Sequence, residues 1–176
     1  PYATAKAEAF RHVADFRETH GLFACSGIMF NHESPLRPPR FVTRKIVQGA
    51  ARIAASGSGG LELGNLDIER DWGWAPEYVG AMWAMLQQAE PGDYVVATGE
   101  SHTLGEFAAA AFAHFGLDWR NHVNSDPSLL RRADIARSRG DASKARQRLG
   151  WQAKFRMADV VRMMAEAEIA LTKEAD

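Results

Sequence analysis

Apolar positions recur at helical spacing over residues 3–19, where Ala3, Ala7, Phe10, Val13, Ala14 and Phe16 fall near one side. Gly21 stops that pattern, and residues 22–30 then read as a short buried strand. Residues 31–40 are rich in proline and polar groups, with Pro35, Pro38 and Pro39, and are expected to form a loop. A second helix is predicted over 42–55, with Ile46, Ala50 and Ile53 on one face and Gly57, Gly59 and Gly60 beyond its end. Residues 61–63 look like a brief strand and 71–75 like a loop. Pro76, in a first helical turn, opens a helix through residue 88. A turn at Pro91-Gly92-Asp93 precedes a strand at 94–97. Thr103 caps the next helix with Glu106 in the capping-box position, and that helix ends near Gly116. Asp141 starts a short helix closed by Gly150, and a final amphipathic helix covers 157–172.

Short strands alternating with helices argue for an α/β fold. The first helix and strand resemble the last step of a doubly wound sheet. No Gly-x-Gly-x-x-Gly or related fingerprint follows a strand, so the chain carries no dinucleotide-binding turn of its own. The cluster Gly57-Ser58-Gly59-Gly60 follows a helix and reads as its terminator.

Composition narrows the class. The 176 residues are 46% hydrophobic and 24% charged, enough for a globular core. The formal net charge of -1 gives no overall attraction to nucleic acid or acidic membranes. Arg131, Arg132, Arg137, Arg139, Lys144, Arg146 and Arg148 crowd one stretch. They read first as a solvated face, with a local phosphorylated ligand as the alternative. Cys25 is the only cysteine, lies in an apolar run, and is expected to be buried and structural. With no apolar run long enough for a membrane span, the expected compartment is the cytoplasm. The chain opens at Pro1 directly before a helical pattern, which reads as a fragment. The five tryptophans are expected mostly in the core.

Tyr2 and Lys6 are four residues apart at a helix start and so share a face. An ammonium beside a phenol stabilises the phenolate, and such a phenol can take a sugar hydroxyl proton while a cofactor takes the hydride. Taken alone, the spacing is a weak signal, because it arises often by chance.

Context strengthens it. Pro1-Tyr2-Ala3-Thr4-Ala5-Lys6, followed by a helix, a strand and a polar loop, resembles the catalytic helix of the extended short-chain dehydrogenase/reductases. Phe30-Asn31-His32-Glu33-Ser34-Pro35 and Phe41-Val42-Thr43-Arg44-Lys45 are more specific and look like the GDP-mannose 4,6-dehydratase family. Leu63-Gly64-Asn65, Arg70-Asp71-Trp72-Gly73, Ala97-Thr98-Gly99 and Gly140-Asp141 with Leu149-Gly150-Trp151 match that family in order. The resemblance implies the last part of a Rossmann-like sheet over 1–40 and a mainly GDP-sugar-binding α/β domain over 41–176.

It also implies residue roles. Tyr2 and Lys6 would be catalytic and, with His32 and Arg37, would contact NADP. Asn31, Val42, Lys45, Arg70, Arg131 and Asp134 would contact GDP-mannose, Arg70 at the diphosphate. Without the resemblance, Arg70 would instead be expected to pair with Asp67 or Glu69. Arg131-Arg132-Ala133-Asp134 stands where the family usually shows Arg-Pro-x-Glu. The proline is replaced and the acid is one methylene shorter, which weakens a guanine-reading role for Asp134.

The implied reaction oxidises mannose at C4, eliminates water across C5 and C6, and returns the hydride to C6. The family's threonine and glutamate for the elimination lie upstream of the tyrosine and have no match here, so this chain alone is expected to be inactive. A strand at 22–30 would leave an exposed edge, so either the chain was longer or another copy covers that surface. The resemblance implies a homo-oligomer, dimer or tetramer, with the loop at 37–40 reaching a neighbour. The alternatives are a GDP-4-keto-6-deoxy-mannose reductase or nucleotide-sugar epimerase of the same fold, and a non-catalytic nucleotide-sugar-binding domain.

Overall fold

The computed structural model describes residues 2–130 and 134–175. Its helices are α1 (Tyr2–His20), α2 (Val42–Ser56), α3 (Ala75–Met85), α4 (Leu104–His114), α5 (Ser143–Leu149) and α6 (Met157–Ala175). Its strands are β1 (Ser26–Met29), β2 (Asn31–Glu33), β3 (Leu61–Leu63), β4 (Glu69–Arg70), β5 (Trp72–Trp74), β6 (Asp93–Val96), β7 (His102–Thr103) and β8 (Val123–Ser125). The strands pair two by two: β1 with β6, β2 with β5 and β3 with β8 in parallel, and β4 with β7 antiparallel. Parallel pairs joined through helices are the α/β arrangement read from the alternation of elements.

Local chemistry explains most element ends. Gly57 closes α2 in the left-handed region, at φ 69°, and its N–H bonds to Ile53 O. Thr103 and Glu106 form the expected capping box at α4. Gly150, at φ 64°, closes α5.

Two predicted loops are partly strand. Residues 31–33 continue the extended chain after β1 and pair with Trp72–Trp74, which lies in the second of those loops. Each three-residue strand is too short to show a period of its own. It is stabilised by the other, some forty residues away in sequence.

The larger core lies among α2, α4 and α6, with Leu61, Leu63, Trp72 and Val123 brought in from the strands. A second cluster joins Tyr78, Ala81 and Met85 of α3 to Tyr94 and Val96 of β6 and Ala145 of α5. Cys25 borders that cluster half-buried, its sulfur accepting the Gly92 N–H at 3.5 Å. Four of the tryptophans are buried or half-buried, but Trp83 is 67% exposed on the outer side of α3 beside Val79 and Leu86. α1 buries none of its residues. Its Arg17 is joined to Asp93 at the start of β6.

Candidate active site

The alternation of a strand decides what β2 presents. Asn31 and Glu33 point into a cleft of about 880 Å³, while His32 points to the other face. There the His32 ring lies 4.9 Å from the Tyr78 ring, and Nδ1 is 2.8 Å from Phe30 O. Tyr78 itself is buried against Gly73, where a Cβ would fall 2.4 Å from its ring. That position therefore requires glycine for the ring to approach the strand.

The cleft gathers segments far apart in sequence. Of the predicted site residues, Tyr2, Asn31, Arg37, Val42, Lys45, Arg70 and Asp134 line it. Lys6 and His32 do not, and Arg131 lies outside the described residues. Tyr2 is 76% exposed at the start of α1, and the Lys6 ammonium stands 5.8 Å from its ring centre, one helical turn on. The start of α2 opens on the same cleft through Phe41, Val42 and Thr43, and no side chain among the described residues caps that helix. Its free N–H groups and dipole favour an anion there.

Among the described residues, four basic side chains line the cleft, Arg37, Arg40, Lys45 and Arg70, against three acidic ones, Glu33, Glu62 and Asp134. Glu33 is the most deeply placed, 1% exposed. Its Oε2 accepts the Thr43 hydroxyl at 2.8 Å and lies 3.0 Å from Arg37 Nε. Burial pushes the Glu33 carboxyl above the usual range, against the opposing pull of Arg37 and Thr43. Arg37 is also stacked on Phe41, its guanidinium carbon 3.8 Å from the ring centre. Lys45 Nζ donates to Glu62 O at 2.6 Å.

Arg70 pairs with neither Asp67 nor Glu69 by its side chain. Its Nη2 donates to Asp134 Oδ1 at 2.5 Å, and Nη1 donates to the carbonyls of Glu69 and Ile135 at 2.7 and 2.6 Å. The next residue faces inward. Asp71 is fully buried, and its carboxylate accepts the N–H groups of Thr98 and Gly99, each at 2.9 Å, and of Gly140 at 3.3 Å. It also accepts the Thr98 hydroxyl at 2.7 Å. The Arg70-Asp71 pair thus serves two faces, one lining the cleft and one tying three chain segments together.

Glu33, Thr43 and Asp71 were quoted in the sequence motifs without a role. The signal that could have found Glu33 is its period-two relation to Asn31, visible once 31–33 is taken as strand. A smaller cleft of about 430 Å³, bordered by Thr98, Arg139, Asp141 and Arg146, contains none of the predicted site residues.

A sequence profile described as GDP-mannose 4,6 dehydratase matches residues 1–164. GDP-mannose 4,6 dehydratase 1 of Arabidopsis thaliana is 47% identical over 173 residues, covering 98% of this chain and 48% of that protein. The Homo sapiens GDP-mannose 4,6 dehydratase is 41% identical over 190 residues, covering 98% of this chain and 51% of its own length. The chain spans about half the length of the curated relatives it matches. Among solved structures, RMD from Pseudomonas aeruginosa complexed with NADPH superposes with a TM-score of 0.85 at 21% identity, over 97% of this chain and 56% of that one. A dTDP-glucose 4,6-dehydratase from Bacillus anthracis in complex with NAD gives 0.78 at 19% identity, over 96% and 53%. At those identities the likeness is one of fold, the Rossmann-like α/β fold expected from the sequence. The match over residues 1–164 and the identities of 41–47% carry the assignment: this chain belongs to the GDP-mannose 4,6-dehydratase family.

Proposed function

We propose that the whole protein converts GDP-D-mannose to GDP-4-dehydro-6-deoxy-D-mannose by an NADP-dependent cycle of oxidation, elimination and reduction. The observation that carries this reading is the cleft itself, where a tyrosine from α1 stands with Asn31, Arg37, Lys45 and Arg70. In the same reading, residues 1–40 belong to the cofactor-binding part and 41–176 mainly to the GDP-sugar part, with β1 paired to β6 across that boundary.

The residues present fit a nicotinamide dinucleotide in part. Tyr2 is largely exposed and Lys6 carries no ion pair among the described residues, so both have donors free for a ribose. Arg37 has a guanidinium suited to a phosphate, although Glu33 already shares it. His32 has one ring nitrogen engaged by Phe30 O and the other left for a ligand on its own face. A bound nicotinamide would supply the hydride acceptor and donor.

The chain's own residues do the rest. Tyr2 takes the proton of the sugar C4 hydroxyl, with the Lys6 ammonium one helical turn away on the same face. Arg70 and the open start of α2 hold the diphosphate, and Asn31 meets the sugar. The exposed loop at Leu36 and Arg40 supports a homo-oligomer, dimer or tetramer, in which a neighbour covers it.

The test is turnover of GDP-mannose by the full-length protein and its Tyr2→Phe variant, with the product identified by mass. The variant is expected to lose about 10²–10⁴-fold in kcat, the usual share of general acid–base catalysis. Full activity of Tyr2→Phe would remove Tyr2 from the mechanism. Reduction or epimerisation without loss of water would instead favour the related enzymes of the same fold.

A further inference from the structure

The donors of Arg70 can be counted. A guanidinium has five N–H groups, and three are taken, one by Asp134 and two by the carbonyls of Glu69 and Ile135. Two remain for a ligand. The arginine is therefore held in one orientation before any ligand arrives, rather than swinging free in the cleft.

The residue that fixes it sits on a braced segment. Residues 134–138 run beside β4: Glu69 N–H bonds to Ala136 O at 2.8 Å, and Ser138 N–H to Glu69 O at 3.0 Å. Arg137 Nε adds contacts to Glu69 Oε2 at 2.9 Å and Ser101 Oγ at 3.2 Å. These bonds hold the backbone just beyond Asp134, and the aspartate side chain meets Arg70 from there. Both side chains are mostly withdrawn from water, at 15% and 26% exposure, which strengthens their attraction over that of a fully solvated pair.

Reading guanine through its N1–H and N2–H groups would use both oxygens of one carboxylate, and here Oδ1 already gives one of its acceptor sites to a charged donor at 2.5 Å, which fixes the direction of the carboxylate towards Arg70. We propose that Asp134 is a positioning residue, which orients Arg70 towards a diphosphate and does not read the base. This rests on the nucleotide-sugar reading of the cleft. It carries a consequence for specificity: replacing Asp134 should leave the preference between guanosine and inosine diphosphates unchanged.

The experiment is calorimetric titration of the full-length protein with GDP, IDP and inorganic pyrophosphate, for wild type, Asp134→Asn, Arg70→Ala and the double variant. The ratio of GDP to IDP affinity is expected to be the same in wild type and Asp134→Asn. Asp134→Asn should weaken all three ligands by one common factor, about tenfold. In the Arg70→Ala background the same substitution should do nothing further, because Asp134 acts through Arg70. Asp134→Glu, which keeps the charge, should recover part of the affinity for all three. A loss confined to GDP, with IDP and pyrophosphate unaffected, would overturn the proposal and make Asp134 a base reader. Wild type binding none of the three would overturn the nucleotide-sugar reading itself, and this inference with it.

Discussion

Arg17 in α1 and Asp93 at the head of β6 form a two-pronged ion pair across 76 residues, Nη2 to Oδ1 at 2.5 Å and Nη1 to Oδ2 at 3.3 Å. It holds the helix that carries Tyr2 and Lys6 against the sheet. α1 buries no residue of its own in the described chain, so this polar clamp matters more than packing there. Burial alone would raise the Asp93 carboxyl, but the bonds from Arg17 and Ser26 outweigh it and hold the group below its usual range. The stabilisation is therefore present above the unfolded carboxylate's pKa, about 4, and is lost as pH falls through the lower folded value. Asp93→Asn is expected to cost about 1–2 kcal/mol at neutral pH and to flatten the acid limb of a thermal unfolding series between pH 7 and 3. An unchanged acid limb in the variant would show that other carboxyls set it.

Glu33 runs the opposite way. Its folded pKa is raised, so its contribution to stability is greatest below the unfolded value and is lost as pH rises through the folded one. Glu33→Gln keeps an acceptor for the Thr43 hydroxyl while removing the buried charge. Its melting temperature should gain on wild type as pH rises from 4 to 8. A gap that widens in favour of wild type would mean that the Arg37 contact outweighs the desolvation.

Asp71 should tolerate no truncation. Asp71→Ala leaves the N–H groups of Thr98, Gly99 and Gly140 facing an empty space in the interior. The expected loss is about 3–5 kcal/mol, read from denaturant unfolding of the full-length protein. A loss under about 1 kcal/mol would mean that water replaces the carboxylate at all three groups.

Much of the architecture was legible in the residues. The helices at α2, α4, α5 and α6 were bounded by Gly57, the Thr103–Glu106 box, Gly150 and the period of their apolar faces. Those signals are local, so a single sequence contains them. The strands β2 and β5 were missed because neither is long enough to alternate visibly, and each exists by pairing with the other. The tryptophans were expected mostly in the core, and Trp83 is the one left outside, because residue type carries no information about which side of a helix meets the core.

The site divides the same way. Tyr2, Asn31, Arg37, Lys45 and Arg70 were named from motifs in a fixed order, and the structure brings them to one cleft. The sequence by itself thus determined the family, most of the helical scaffold and several of the residues that line the cleft. Only the tertiary structure decided that His32 turns from the cleft while Glu33 faces it, and that the carboxylate paired with Arg70 is that of Asp134 rather than of Asp67 or Glu69. The reason is physical. Propensity and capping act within a few residues, whereas a strand's facing and an ion pair's partner depend on what the rest of the chain places opposite.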